Sequence, residues 1–339
     1  MNRKYFLSSV IPLMSVGSAI KNYVPNTDLD GNAKIPKYLK KGDIIGITCP
    51  SGFITLEDIQ PCISKMMEWG FEIRIGKTVG LRDFTFAGND EERKSDFQVM
   101  LDDPSVNAIM LGRGGYGAVR IIDDIDFKKF SSKPKWIIGF SDATVIHSHL
   151  NRNFGIASIH SKMCNSFPDD QAIAGQTQID SIESIRKCLV GDKMKYPVIT
   201  NEQNRNGNGE GILIGGNLSI LENLAATKSD IITDNKILFL EEVGEYLYSI
   251  DRMLWNIKRS GKLNKLRGLI IGGFKIKPDD PGEEFGKTLY EIVLEKVKEY
   301  NYPVCFNFPV GHQKENYALK CGVKHRLMVN ERDVSLSEL

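Results

Sequence analysis

From Asp43 onward, short apolar runs alternate with longer stretches whose apolar residues recur at helical spacing. Ile44 to Thr48 reads as a buried strand, Cys49-Pro50-Ser51-Gly52 as a turn, and the residues through Met66 to Trp69 as a helix. Phe71 to Ile75 predicts a second strand, Asp90 to Leu101 a polar-faced helix, and Ala108 to Leu111 a third strand running into Gly112-Arg113-Gly114-Gly115-Tyr116-Gly117. A helix begins over Ala118 to Ile122. Trp136 to Gly139 predicts a fourth strand, which ends at Phe140-Ser141 with a helix starting at Asp142. Strands and helices alternating in this way imply an α/β fold with a mostly parallel, doubly wound sheet. Ligands in such sheets bind beyond the carboxyl ends of the strands. Both the glycine-rich loop and Ser141 fall there.

After Ile159 the pattern changes. Pro168 to Gln178 is polar, and Asn201 to Gly209, rich in Asn and Gly, reads as a loop or hairpin. Short strands follow over Ile212 to Ile214, Ile237 to Leu240, Gly268 to Ile271, Pro303 to Phe306 and Arg326 to Val329. Helices are predicted near Ser219 to Thr227, over Ile250 to Arg259 and over Lys287 to Tyr300. This half reads as a smaller mixed α+β domain. The expected division is a linker over residues 20–41, a first domain over 42–168, a connection over 169–209 and a second domain over 210–339.

Charge narrows the partners. The 339 residues carry 44 Lys and Arg against 43 Asp and Glu, a net +1, which argues against a broad nucleic-acid footprint or a strongly electrostatic membrane surface. A small charged substrate fits this balance. Residues 1–19 place Arg3 and Lys4 before an apolar run from Tyr5 to Val16 and small residues up to Ala19. That order predicts a signal peptide and export to the periplasm, with a cytoplasmic location as the alternative, and the run is too short for a stable membrane span. The six cysteines, Cys49, Cys62, Cys164, Cys188, Cys305 and Cys321, include no CxxC pair. Neither a zinc cluster nor a thioredoxin-type motif is indicated, and most read as small buried hydrophobes.

Ser141 stands at a tight strand-to-helix corner, where a hydroxyl is pushed out beside a helix N-terminus and can attack a carbonyl. The bland alternative is a helix cap. A serine needs a base, and the base an acid to fix its tautomer. Of the five histidines, His147 and His149 lie on the following helix and His160 ends a strand. His325, between Lys324 and Arg326, reads as solvated. His312, in Phe308-Pro309-Val310-Gly311-His312, projects from a stiff turn and is the best base. Glu241 and Glu242 leave the apolar strand Lys236 to Leu240, with Glu245 and Asp251 close behind, and pattern does not choose among them. The glycine-rich loop can cradle phosphate or aim an N–H at an oxyanion. It lacks the GxGxxG order, so a nucleotide reading is weak.

Five segments in order, GRGGYGAVRIIDDIDF, PKWIIGFSDATVIH, GILIGGNLSIL, ILFLEEVGEYLYSIDRML and FPVGH, resemble the LD-carboxypeptidases that trim murein peptides, a family that includes microcin C resistance peptidases. The resemblance runs from about Lys41 to about Asn330. It implies a Rossmann-like N-terminal domain and a serine peptidase that cleaves before a terminal D-alanine without metal or other cofactor. By motif, Ser141 is the nucleophile, Glu241 the acid and His312 the base, with the N–H groups of Gly115 and Asp142 as oxyanion hole. Arg113 and Asn217, in motif loops, are candidate contacts for the substrate's carboxylate or main chain. One departure lies after the nucleophile helix: family members often carry His-Gly-Pro-Met, whereas here His160 is followed by Ser161, Lys162 and Met163. The rival readings are an immunity peptidase acting on a peptide-nucleotide antibiotic, an esterase, and a non-catalytic periplasmic binding protein. Ala143, where an esterase elbow has glycine, speaks against the esterase. A murein peptide is the expected partner, and a homodimer is compatible with the sequence.

Overall fold

A computed structural model of the chain describes residues 33–169 and 174–339; the expected signal segment, residues 1–19, lies outside them. The first sheet is built from β1 (Ile44–Thr48), β2 (Glu72–Ile75), β3 (Val106–Leu111), β4 (Trp136–Gly139) and β5 (Ser158–His160). Its order, β5-β4-β3-β1-β2, is parallel throughout. The intervening helices are α1 (Gln60–Glu68), α2 (Asp90–Asp102), α3 (Ala118–Ile121), α4 (Lys128–Ser132) and α5 (Thr144–Phe154). The start of α2 is set by a capping box: Glu92 N donates to Asn89 Oδ1 at 2.9 Å, and Asn89 N donates to Glu92 Oε2 at 2.8 Å.

The stretch expected as a connection holds the 15-residue helix α6 (Gln176–Val190) and β6 (Lys195–Val198). Helix α6 buries Ile182, Ile185, Cys188 and Leu189 on one face. That spacing makes it part of the fold rather than a tether. The second sheet comprises β7 (Gly207–Asn217), β8 (Lys236–Val243), β9 (Gly268–Lys275), β10 (Val304–Cys305), β12 (Lys324–Val329) and β13 (Val334–Glu338), with β6 on its edge. Its helices are α7 (Leu218–Asn223), α8 (Leu247–Arg259) and α9 (Leu289–Val297). The expected Asn201 to Gly209 loop thus gives way to β7 at Gly207.

The division between domains is interlaced. Strand β11 (Leu319–Cys321), late in the chain, joins the first sheet antiparallel to β5. One apolar cluster runs from Ile45, Ile47 and Ile159 of the first sheet to Leu213 and Phe239 of the second and to Phe308 in the loop beyond β10. Burial of this shared surface fixes how the sheets meet. Residues 33–41, expected as linker, also join it: Leu39 is buried, its N–H donates to Leu189 O at 2.8 Å, and Tyr38 stacks on Trp136 at 5.7 Å. Among the described residues, no helix is long and apolar enough to cross a membrane. All six cysteines are buried and free, and burial pushes the thiols of Cys188, Cys305 and Cys321 up to about 12.

His325 corrects a sequence reading. It is fully buried, not solvated, because strand alternation sends Lys324 and Arg326 outward and His325 inward. Burial pulls His147, His149 and His325 down to about 4. Unfolded histidines titrate near 6.5. Between these values the unfolded chain binds more protons, so the stability present above pH 6.5 is lost as pH falls toward 4. Each histidine can contribute about 3 kcal/mol over the full window. Tm measured from pH 7.5 to 4.5 should fall in that window, and His325→Phe should make the fall shallower. Parallel slopes for the two proteins would count against this account.

Candidate active site

Strand β4 delivers Phe140 in extended conformation and then Ser141 at φ 60°, followed by a 3₁₀ turn over Ser141–Ala143 and by α5. A non-glycine residue in the left-handed region is held there by its surroundings. Those surroundings are clear. Asp142 is buried and its Oδ2 accepts from Ala118 N at 2.8 Å and from the Ser51 hydroxyl. Burial raises its carboxyl above the usual range, against the pull of these donors. Arg93, also buried, donates from Nη1 to Pro50 O at 2.6 Å and Gly117 O at 3.0 Å. The serine corner, the Ser51 turn and the end of the glycine-rich loop are thereby clamped together.

The loop meets the serine through Gly114. A Cβ at Gly114 would stand 3.0 Å from Ser141 Cβ and 3.2 Å from its Oγ, so a side chain there would press on the hydroxyl. Gly115 follows at φ 106°, which favours glycine. The Ser141 side chain makes no cap to its own helix. That removes the helix-cap reading.

Glu241 and His312 arrive from the second sheet. The β7–β8 pairing sets Glu241 opposite Asn217, while the β8–β9 register slips between Leu240 and Glu242. Adjacent strand residues project oppositely. Glu241 Oε2 accepts from His312 Nδ1 at 2.5 Å, whereas Glu242 accepts from Asn217 Nδ2 at 2.9 Å, Ser219 N at 2.7 Å and Val243 N at 2.8 Å. Asp251 binds Lys296 at 2.5 Å. Of the four candidate acids, Glu241 is the one bonded to the histidine. Its side chain is fully buried, and Oε1 has no partner. His312 is held by a loop in which Gly311, at φ 99°, bridges to Gly273 and donates to Asn316 Oδ1 at 2.9 Å. A Cβ at Gly311 would lie 2.4 Å from Glu241 Cβ. Only glycine lets the two segments approach this closely.

The halves join at the serine corner. The ring of Phe140 lies 4.8 Å from that of His312, and Asn217 N donates to Thr144 Oγ1 at 3.1 Å. Among the described residues no hydrogen bond joins Ser141 Oγ to His312; such bonds are often long before substrate arrives. An imidazole whose Nδ1–H is fixed by a buried carboxylate can accept a proton at Nε2. Three of the remaining histidines are committed elsewhere. His147 Nε2 meets Gly139 O at 2.8 Å, His149 Nδ1 meets Ser229 Oγ at 2.9 Å, and His325 Nδ1 meets Val323 O at 2.9 Å. His160 is buried with both ring nitrogens unpartnered, between Phe140 and Phe239.

The two expected substrate contacts differ. Arg113 is exposed and its Nη1 donates to Phe53 O at 3.3 Å, a bond that braces the loop yet leaves most of the guanidinium free. Asn217 is turned inward: Nδ2 goes to Glu242, and Oδ1 accepts from Ser219 Oγ at 2.7 Å and caps α7 through Ile220 N at 3.3 Å. Its side chain serves the fold at this position. Thr144 was not singled out from sequence, and Glu242 was read there only as one of the candidate acids; the glycine before His312 carried a legible signal.

Comparison with known proteins agrees with this architecture. The model of the LD-carboxypeptidase N-terminal domain matches residues 45–161, and that of the C-terminal domain matches residues 210–327. The chain is 29% identical over 290 residues to the murein tetrapeptide carboxypeptidase of Pseudomonas aeruginosa, covering 82% of this chain and 91% of that protein. It is 24% identical over 294 residues to the microcin C7 self-immunity protein MccF of Escherichia coli, covering 79% and 85%. The crystal structure of muramoyltetrapeptide carboxypeptidase from Oxalobacter formigenes superposes with a TM-score of 0.76 at 28% identity, covering 87% of this chain and 98% of that one. With two domain models matched in order across both sheets, the chain belongs to the LD-carboxypeptidase family of peptidases.

Proposed function

We propose that the protein is a serine carboxypeptidase that hydrolyses the amide between the L-centre of a diamino acid and a terminal D-alanine in murein peptides. The observation that carries this reading is the buried Glu241–His312 pair at 2.5 Å, brought against the strained Ser141 corner. Ser141 Oγ attacks the carbonyl carbon while His312 Nε2 takes its proton. The N–H groups of Gly115 and Asp142 receive the oxyanion. His312 then returns the proton to the departing amine of D-alanine, leaving an acyl-enzyme. Water, deprotonated by the same imidazole, releases the shortened peptide and regenerates Ser141.

Both halves of the chain are needed, since the attacking atom and the groups that activate it come from different sheets. The signal-like residues 1–19 support action outside the cytoplasm. Similarity to MccF supports a second reading, cleavage of an amide in a peptide-nucleotide antibiotic. A mass-spectrometric digest separates the two. Purified protein should convert murein tetrapeptide to tripeptide plus D-alanine. Release of a nucleotide from the antibiotic, with muropeptides untouched, would transfer the assignment to the second reading.

A further inference from the structure

An oxyanion donor works by aim. A backbone N–H lowers the barrier only if it is already held about 3 Å from where the charge will develop. The two donors proposed above sit on separate segments, Gly115 in the loop after β3 and Asp142 in the turn after β4. Some third element has to hold both in one frame with Ser141.

The turn after β1 touches both. Gly52 N donates to Gly114 O at 3.0 Å. In a planar trans peptide the C=O and N–H point opposite ways, so this bond turns the Gly115 N–H away from Gly52. Among the described residues that N–H has no acceptor. It belongs to the peptide that follows Gly114, whose Cβ would stand 3.2 Å from Ser141 Oγ. A Cβ at Gly52 would lie 2.7 Å from Gly114 O, so only glycine permits the bond. Ser51, one residue earlier, reaches the other donor. Its buried hydroxyl donates to Asp142 Oδ2, which also accepts from Ala118 N at 2.8 Å. Asp142 lies in the opening of the 3₁₀ turn Ser141–Ala143, where a backbone N–H has no acceptor within the turn.

The turn is itself fixed from behind. Cys49 N donates to Thr78 Oγ1 at 2.9 Å, Pro50 O accepts from Arg93 Nη1 at 2.6 Å, Ser51 O accepts from Ala87 N at 3.1 Å, and Phe53 N donates to Thr85 O at 3.2 Å. Every residue from Cys49 to Phe53 is thus hydrogen-bonded, and the two bonds directed at the serine corner go to the two segments that carry the donors. We infer that Ser51 and Gly52 are positioning residues that aim both oxyanion N–H groups at one point beside Ser141 Oγ. Ser51 acts through the Asp142 carboxylate and Gly52 through the Gly114 carbonyl. Preorganisation of this kind is felt in the transition state and not in substrate binding. The inference rests on the serine peptidase reading above.

The test separates kcat from KM and reads Ser141 with two reagents. Ser51→Ala should lower kcat for D-alanine release about 10- to 100-fold, less than outright deletion of a donor, with KM within about threefold of the wild type. The rate of labelling by a fluorophosphonate, whose P=O must occupy the same hole, should fall by the same factor. Ser51→Thr, which keeps the hydroxyl, should recover most of both losses. Gly52→Ala leaves every side-chain bond of the clamp in place but displaces the Gly114 carbonyl, and should repeat the pattern, so the test survives a Ser51→Ala protein that fails to fold. A loss carried by KM overturns the positioning role while the carboxypeptidase reading stands. So do wild-type kcat and labelling rates in both Ser51→Ala and Gly52→Ala. Wild-type protein that is labelled at Ser141 yet inert toward murein tetrapeptide removes the carboxypeptidase reading, and the labelling rates of the variants then decide the positioning role alone.

Discussion

Ser141→Ala is expected to lower kcat/KM for D-alanine release by about 10⁴-fold or more, the scale on which removal of a triad nucleophile acts. Without the hydroxyl no acyl-enzyme forms, and only binding and the oxyanion donors remain. The fold should be indifferent to the change. The Ser141 side chain caps nothing, and alanine bears the same left-handed φ of 60°. Tm should therefore shift by no more than a degree or two. A variant that retained wild-type release, with both proteins assayed at equal concentration by mass spectrometry, would end the assignment of Ser141. Labelling of the wild type by a serine-directed fluorophosphonate, lost in the variant, supplies an independent reading.

Glu241→Gln isolates the acid. Glutamine keeps the volume of the buried side chain but can present an amide N–H to His312 Nδ1, favouring the wrong tautomer and withdrawing the charge that stabilises the imidazolium. An equivalent change in other triads costs about 10⁴-fold, and a loss of 10³- to 10⁴-fold in kcat is expected here. Stability should move the other way or not at all. Glu241 is fully buried, with Oε1 unpartnered, so it holds a charge in the interior with one bond to show for it. Neutralising it removes a desolvation cost. A Tm equal to or above that of the wild type, together with the collapse in kcat, marks a group retained for chemistry. A drop in Tm matching the loss of activity would instead make Glu241 a structural residue.

Several elements were legible because their signals are local. The alternation from β1 to β4 follows from runs such as Ile44 to Thr48 and Trp136 to Gly139, bounded by turn residues. The serine corner and the Pro-Val-Gly-His turn are likewise written in adjacent residues. Errors arose where a local signal has two readings. Lysine and arginine flanking His325 suggested solvent, yet on a strand they imply the opposite for the residue between them. The polar start of the 169–209 stretch concealed α6, although Ile182, Ile185, Cys188 and Leu189 carry a helical apolar face.

By itself the sequence determined the class of fold, the serine corner with its glycine-rich loop, and the stiff turn that carries His312, since each depends on periodicity or turn chemistry within a few residues. Tertiary structure alone decided which carboxylate is bonded to that histidine, because Glu241 and His312 are 71 positions apart and meet through sheet register and the space left by Gly311. It also decided that β11 crosses back to the first sheet and that Asn217 turns inward. Pairing, burial and desolvation are properties of neighbours distant in the chain, and no pattern along it records who those neighbours are.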